Sequence, residues 1–223
     1  MTPKSNITKR SLILCVGLLV MALGVALSIR ASLGTSPISS FPYVVSVCTP
    51  LTVGMATIYM HIVFIILQIA ILRKNYSPFQ LLQLPAAILF GYLTDLAMEI
   101  TKAIAPQTYW QQWLVCIAGI IIVGIGVTLE VKADIIVLAG EGLILAICTA
   151  FPVKFGTMKI VFDVSLVIAA CITSIIFIGG ITGVREGTAA AAVLVGCVVK
   201  ITNKAIDKIN QQRLQAQCEN SLK

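Results

Sequence analysis

Charge is what this sequence is short of. Charged side chains make up 11% of the chain, only 9 residues are acidic, and His61 is the sole histidine. That poverty excludes an ordinary soluble domain, whose surface needs far more polar cover. A lone histidine also leaves no histidine cluster for a metal. None of the 7 cysteines belongs to a C-x-x-C pair. Six of them lie in apolar stretches, where a thiol behaves as a small hydrophobe, so neither disulfide nor metal function is expected. Catalytic motifs are missing as well: no H-E-x-x-H, nucleophile elbow, P-loop or Rossmann glycine pattern occurs. The chain therefore reads as a non-enzyme with no cofactor, no metal and no nucleotide site. Asn-Pro-Ala is absent too, which removes support for an aquaporin-type pore.

What the chain has in abundance is hydrocarbon. Hydrophobic residues account for 58% of it, and mean hydropathy is +1.00, the composition of an all-α polytopic membrane protein. Six apolar stretches approach the length of a span: 11–29, 54–72, 79–100, 113–129, 156–178 and 185–201. Basic residues precede the first of them, but it is uncharged, long enough to cross and followed by no clear cleavage site. It reads as a retained anchor rather than a signal peptide. Two further stretches, Pro37–Cys48 and Ala139–Ala150, are apolar but short, which suits re-entrant or broken helices.

The net charge of +7 is a matter of topology, not of a nucleic-acid partner. Lys4, Lys9 and Arg10 precede the first stretch, and Lys200, Lys204, Lys208 and Arg213 follow the last, which assigns both termini to the cytoplasm. The chain divides into a cytoplasmic N-terminus (1–10), membrane unit one (11–100), a connecting loop (101–112), membrane unit two (113–201) and a basic cytoplasmic tail (202–223). Tyr109, Trp110 and Trp113 in the loop before the fourth span form an interfacial aromatic belt.

Unit two repeats unit one at an offset of 102 residues. Residues 12–66 laid over 114–168 share ten identities, where composition alone predicts about five. They include Gly17/Gly119, Gly24/Gly126, Pro50/Pro152 and Gly54/Gly156. Duplicated apolar units build transporters and channels, with the binding site between the repeats. Parity sets their relation. If the short stretches do not cross, each unit has three spans and the repeats are inverted; if they cross, the repeats are parallel. Three spans per unit place Arg73-Lys74, Lys132 and Lys154 in the cytoplasm, whereas four put Arg73-Lys74 outside, so the charge bias favours inversion. Arg30, Lys102 and Arg185 fall outside in that arrangement, against the bias.

Ionisable groups inside a bilayer need a partner, a cavity or a task. His61 and Asp163 occupy equivalent places in the two repeats and form a candidate substrate or coupling pair, against the plainer role of interhelical hydrogen bonding. Thr35-Ser36-Pro37 predicts a hydroxyl N-cap with proline at the first helical position, and such a half-helix end receives anions. Pro42 is expected to interrupt that helix. Arg30 and Glu141 lie beside the two short stretches and complete the candidate binding set of Arg30, Thr35, Ser36, His61, Glu141 and Asp163. Glu130, Lys132 and Asp134 read as interfacial ion pairs, Lys159 as a snorkelling cation, and Asp95, Glu99 and Lys102 as a solvated helix end.

Four segments resemble one family. Ala31-Ser32-Leu33-Gly34-Thr35-Ser36-Pro37 resembles the A-x-L-G-x-x-P stretch of the YczE/YyaS/YitT-like bacterial integral membrane proteins. Gly140-Glu141-Gly142-Leu143 is similar to that family's acidic-Gly-Leu segment, Gly156-Thr157…Asp163 to its next helix, and Gly187-Thr188…Gly196 to its closing span. The second segment departs from the family's G-P-x-D-G-L, with Ala139-Gly140-Glu141 in place of the proline and aspartate. The resemblance implies a multi-pass protein of a bacterial cytoplasmic membrane.

The expectation is a small-molecule transporter with six spans and two re-entrant helices, energised by a proton or cation, in contact with the lipid bilayer. Two alternatives are a substrate-capture subunit docking on an energising partner, and a non-transporting regulatory or scaffold protein. Homo-oligomerisation is left open.

Overall fold

A computed structural model describes the backbone of residues 7–221 and the side chains of residues 7–208. The described residues form eight α-helices and no strand: α1 (Ile7–Arg30), α2 (Pro37–Cys48), α3 (Val53–Leu72), α4 (Gln83–Ile100), α5 (Tyr109–Ala133), α6 (Ala139–Ala150), α7 (Phe155–Ile178) and α8 (Glu186–Ser221). Short 3-10 turns flank α4. In lipid every backbone N–H and C=O must be satisfied within the segment, so apolar runs of this length become helices. Six helices are long and apolar enough to cross a bilayer. The 12-residue α2 and α6 reach only about 18 Å, short of an acyl core of about 30 Å. The outward faces are hydrocarbon: Ile176 is 69% and Phe177 71% exposed on α7. This is a multi-pass membrane protein.

The centre of the bundle is an α1–α5 pair running antiparallel. Arg10, near the start of α1, bonds the Ala133 carbonyl and Asp134 at the end of α5, each at 2.8 Å. At the opposite end Ala31 and Leu33, just past α1, cluster with Cys116 and Ile120. Glycines allow the approach. A Cβ on Gly24 would meet the Gly119 carbonyl at 2.8 Å, and one on Gly17 the Gly126 carbonyl at 3.2 Å. Those two contacts exchange with each other when 102 is added to one partner and subtracted from the other, the self-complementary pattern of a two-fold interface.

The remaining helices pack reciprocally around this pair. The short helix α2 lies on α7 and α6 on α3, while α4 flanks α1 and α8 flanks α5. Helix ends follow the same offset: Pro37 and Ala139, and Cys48 and Ala150, are each 102 positions apart. The pattern breaks once. α3 packs closely on α4, but α7 makes little contact with α8. A Cβ on Gly54 in α3 would run into the Gly91 carbonyl of α4, whereas one on Gly156 in α7 would meet nothing within 4 Å.

Several local expectations are corrected. Pro42 does not interrupt α2, which runs through it; at the sixth position only the carbonyl of Ile38 loses its helical donor. Ser36 is the N-cap with Pro37 following, yet its hydroxyl makes no capping bond. It donates instead to Ser39 Oγ at 3.0 Å. Tyr109, Trp110 and Trp113 lie in the first turns of α5 rather than in a loop, behind a capping box formed by Thr108 and Gln111. In keeping with the helical spacing of Lys200, Lys204 and Lys208, α8 continues without a break past residue 201.

Candidate functional site

A cavity of about 350 Å³ lies at the centre of the bundle. Its first-half walls are the start of α2 (Ser36 to Ser39, with Pro42), Thr57, Met60 and His61 of α3, and Phe90 of α4. The second half contributes Val123, Val127 and Glu130 of α5, Leu138 and Glu141 around the start of α6, and Lys159 and Asp163 of α7. Residues of α8 from Ala191 to Val199 close the remaining side. Because α7 and α8 scarcely touch, this wall has a seam. Both short helices thus point their N-terminal turns into one space.

The two ends are held differently. Glu130 is 2% exposed, and its Oε1 accepts the Leu138 N–H at 2.7 Å, just ahead of α6. A carboxylate there satisfies a free amide and opposes the positive end of the helix. Gln68 of α3 donates to the Ala139 carbonyl at 3.0 Å and to Gln83 at 2.9 Å, fixing the same turn from the other side. The start of α2 has no such carboxylate and no acidic residue in its first turn. Its anchor lies outside the cavity, in the α7–α8 loop and the first turn of α8: the Thr35 N–H donates to the Gly183 carbonyl at 3.3 Å and the Gly187 N–H to the Leu33 carbonyl at 2.8 Å. Gly34, at φ +92, makes the turn; a Cβ there would also strike Arg185 and Thr188. The A-x-L-G-x-x-P and Gly-Thr segments, far apart in sequence, are therefore one structural joint.

Three carboxylates and one lysine share the cavity. Lys159 Nζ bonds Asp163 Oδ1 at 2.9 Å, one helical turn away. Glu141 has no hydrogen-bond donor among the described residues. His61 is 1% exposed; it sits edge-on to Phe64 and Phe90, and its Nδ1 is unpartnered. Glu130 also walls a second cavity of about 350 Å³, shared with Gln83, Val131 and Asp134, so it stands between two spaces. Among the described residues no group of three or more His, Cys, Asp or Glu side chains is disposed to hold a metal. Buried carboxylates next to an open cavity can exchange a proton or receive a cation.

The structure brings Ser36, His61, Glu141 and Asp163 to the cavity and leaves two sequence-proposed residues elsewhere. Arg30 turns to the end of α4 and donates to the Met98 carbonyl at 2.7 Å. Thr35 is buried behind the α2 turn with its hydroxyl unpartnered. The cavity residues that sequence reasoning ranked low are Glu130, Lys159 and Ser39. Lys132 and Asp134 do form ion pairs, with Asp207 and Arg10, but Glu130 forms none among the described residues. Asp95 is not merely part of a solvated helix end: it accepts from the Gly54 N–H at 2.7 Å and from the Thr52 hydroxyl at 2.6 Å, capping α3 from α4. Glu99 and Lys102 pair at 2.9 Å as a solvated end does.

Known proteins can be set beside this geometry. No solved structure matches the chain. It is 28% identical over 118 residues to the uncharacterized protein YyaS of Bacillus subtilis (strain 168), an alignment covering 52% of this chain. The chain spans 57% of the length of that bacterial relative. A family described as a family of unknown function, DUF6198, matches residues 8–204, nearly all of the helical bundle just described, and the chain belongs to that family.

Proposed function

We propose that the protein is a small-molecule transporter whose substrate binds in the central cavity between two inverted repeats, coupled to a proton or another cation. One observation carries the reading: an apolar membrane bundle gathers Glu130, Glu141, Lys159, Asp163 and His61 around a space of about 350 Å³. Burying that many ionisable groups costs several kcal/mol unless they serve a ligand or ion.

Three features support the repeat and its inversion. The helix ends keep the offset of 102, the α1–α5 glycine contacts exchange under it, and α1 runs antiparallel to α5. Antiparallel first helices require an even number of crossings between them, supplied by α3 and α4 with α2 not crossing. The two halves differ where alternating access needs them to differ: the α3–α4 seam is closed and the α7–α8 seam is open. Exchanging those states would open the cavity to one side and then the other. The same reading puts the chain in a bacterial cytoplasmic membrane with both ends inside.

The test is flux. Purified protein in proteoliposomes carrying an internal pH dye is challenged with pools of amino acids, carboxylic acids, amines and sugars. At least one pool is expected to move protons or to be concentrated by an imposed pH gradient, and Glu141→Gln to abolish the coupling. Failure of every pool to exceed protein-free vesicles sinks the proposal.

A further inference from the structure

Two side chains without hydrogen-bond partners among the described residues line the cavity from opposite halves, the Glu141 carboxylate and the His61 imidazole. In the second half, Lys159 is taken by Asp163 and Glu130 by the Leu138 amide. Glu141 is left facing the cavity with no hydrogen-bond donor among the described residues, and the one cation on that wall, Lys159, is bonded to Asp163. In the first half, the α2 start has no acidic residue in its first turn and places Ser36 and Ser39 in the cavity wall. Like α6 it has no side-chain cap, and with Pro37 lacking an N–H and the Ser39 N–H bonded to the Ser36 carbonyl, Ile38 is its open amide. The residue 102 positions before Glu130 is Ser28, whose hydroxyl turns back to the Gly24 carbonyl at 3.0 Å. The carboxylate that holds the Leu138 amide ahead of α6 therefore has no counterpart at α2. His61 adds an independent sign on the same half: it lines the cavity, it is 1% exposed, and Nδ1 has no partner. Hydrogen bonds left unmade in such a place are costly, so a ligand that makes them is strongly favoured.

We propose that the cavity binds a small zwitterion with an apolar body, its carboxylate at the α2 N-terminus and His61 and its ammonium group against Glu141. The proposal rests on the transport reading and names its substrate class. Met21, Val25, Phe90 and Val123 supply the apolar middle. A volume of about 350 Å³ sits at the low end of ligand cavities, which run from about 300 to 1,000 Å³. That suits a single amino acid rather than a peptide.

The experiment uses three pools with matched apolar bodies: alanine, valine, leucine, methionine and phenylalanine; the carboxylic acids lacking their amino group; and the amines lacking their carboxylate. Binding to the purified full chain is read by calorimetry, with stabilisation as a second readout. The amino-acid pool is expected to bind at least about tenfold more tightly than either singly charged pool. Glu141→Gln should reduce it to the affinity of the acid pool while leaving that pool unchanged. His61→Phe, which keeps the ring packing, should reduce it towards the amine pool. Equal binding of the amine pool, equal binding of the acid pool, or no binding by any pool overturns the proposal. If Glu141→Gln does not fold, the wild-type ranking of the three pools decides alone. Flux driven by amines alone would end the zwitterion site and leave transport standing. Amino acids that bind without flux would do the reverse.

Discussion

The starts of α2 and α6 are the same piece of architecture finished in two ways. Both begin a 12-residue helix inside the bundle, and both face one cavity. At α6 the chain supplies an anion, Glu130, which accepts the Leu138 N–H just ahead of the helix. At α2 the equivalent place holds Ser28, and the turn is left with hydroxyls and a positive helix end. The flanking seams differ in the same sense. In the first half Asp95 ties α4 to the start of α3, whereas in the second half the residue 102 positions later is Cys197, a free and exposed thiol. One half is closed at its seam and has no carboxylate at its short-helix start; the other has that carboxylate and is open at its seam. Two short helices that face one cavity can thus be set apart by a few polar residues.

The comparison breaks most violently at the two equivalent glycines. Gly54→Leu forces a side chain into the Gly91 carbonyl and Asp95, and should cost about 3 kcal/mol, the upper range for overpacking, read as a loss of unfolding temperature in detergent. Gly156→Leu should leave the unfolding temperature nearly unchanged, because its Cβ meets open space. Transport is the readout that separates them: if the α7–α8 seam must close in each cycle, Gly156→Leu stops flux while substrate binding survives. Normal flux in that variant would show that the seam does not close.

A smaller effect is expected at Glu130. Glu130→Leu strands the Leu138 amide, at about 2 kcal/mol for an unsatisfied buried donor. Glu130→Gln keeps an acceptor and should recover most of that stability. Loss of proton-driven flux in the stable glutamine variant would assign Glu130 a proton as well as a cap. Unchanged flux would leave it the cap alone.

Much of the frame was legible in sequence because it depends on local composition. Both short helices have the bounds their apolar runs predict, since hydroxyl and glycine turns delimit them on either side. The site was legible in part. His61 and Asp163 stood out as isolated ionisable residues within spans. Glu130 did not, because its spacing with Lys132 and Asp134 is that of an interfacial charge cluster, and only the fold of α6 over it buries one member and leaves two at the surface. Lys159 and Asp163 are one turn apart, a spacing that predicts their pairing; what it omits is the cavity beside them. Arg30 illustrates the opposite failure. Its position beside the α2 turn is correct, but a long side chain reaches whichever acceptors are nearest, and the end of α4 offers the Met98 carbonyl.

The seam and the helix end can also be probed with less damage. Asp95→Ala removes the acceptor of the Gly54 amide and the Thr52 hydroxyl, a capping loss of about 1 kcal/mol. It should also make the first half resemble the second, raising the reactivity of a cysteine placed at Thr52 towards a soluble maleimide. Ser36→Ala should be the mildest change, within about 0.5 kcal/mol, because a hydroxyl that caps nothing contributes little to stability. Its interest lies in the difference between stability and binding. Were Ser36 the helix cap its position suggests, alanine would destabilise α2 and affect every ligand alike. Since the hydroxyl instead donates to Ser39 in the cavity wall, alanine should spare the fold and weaken the binding of carboxylate-bearing ligands while leaving amines unaffected. Equal weakening of both would return Ser36 to a purely structural role and leave the α2 end without its proposed guest.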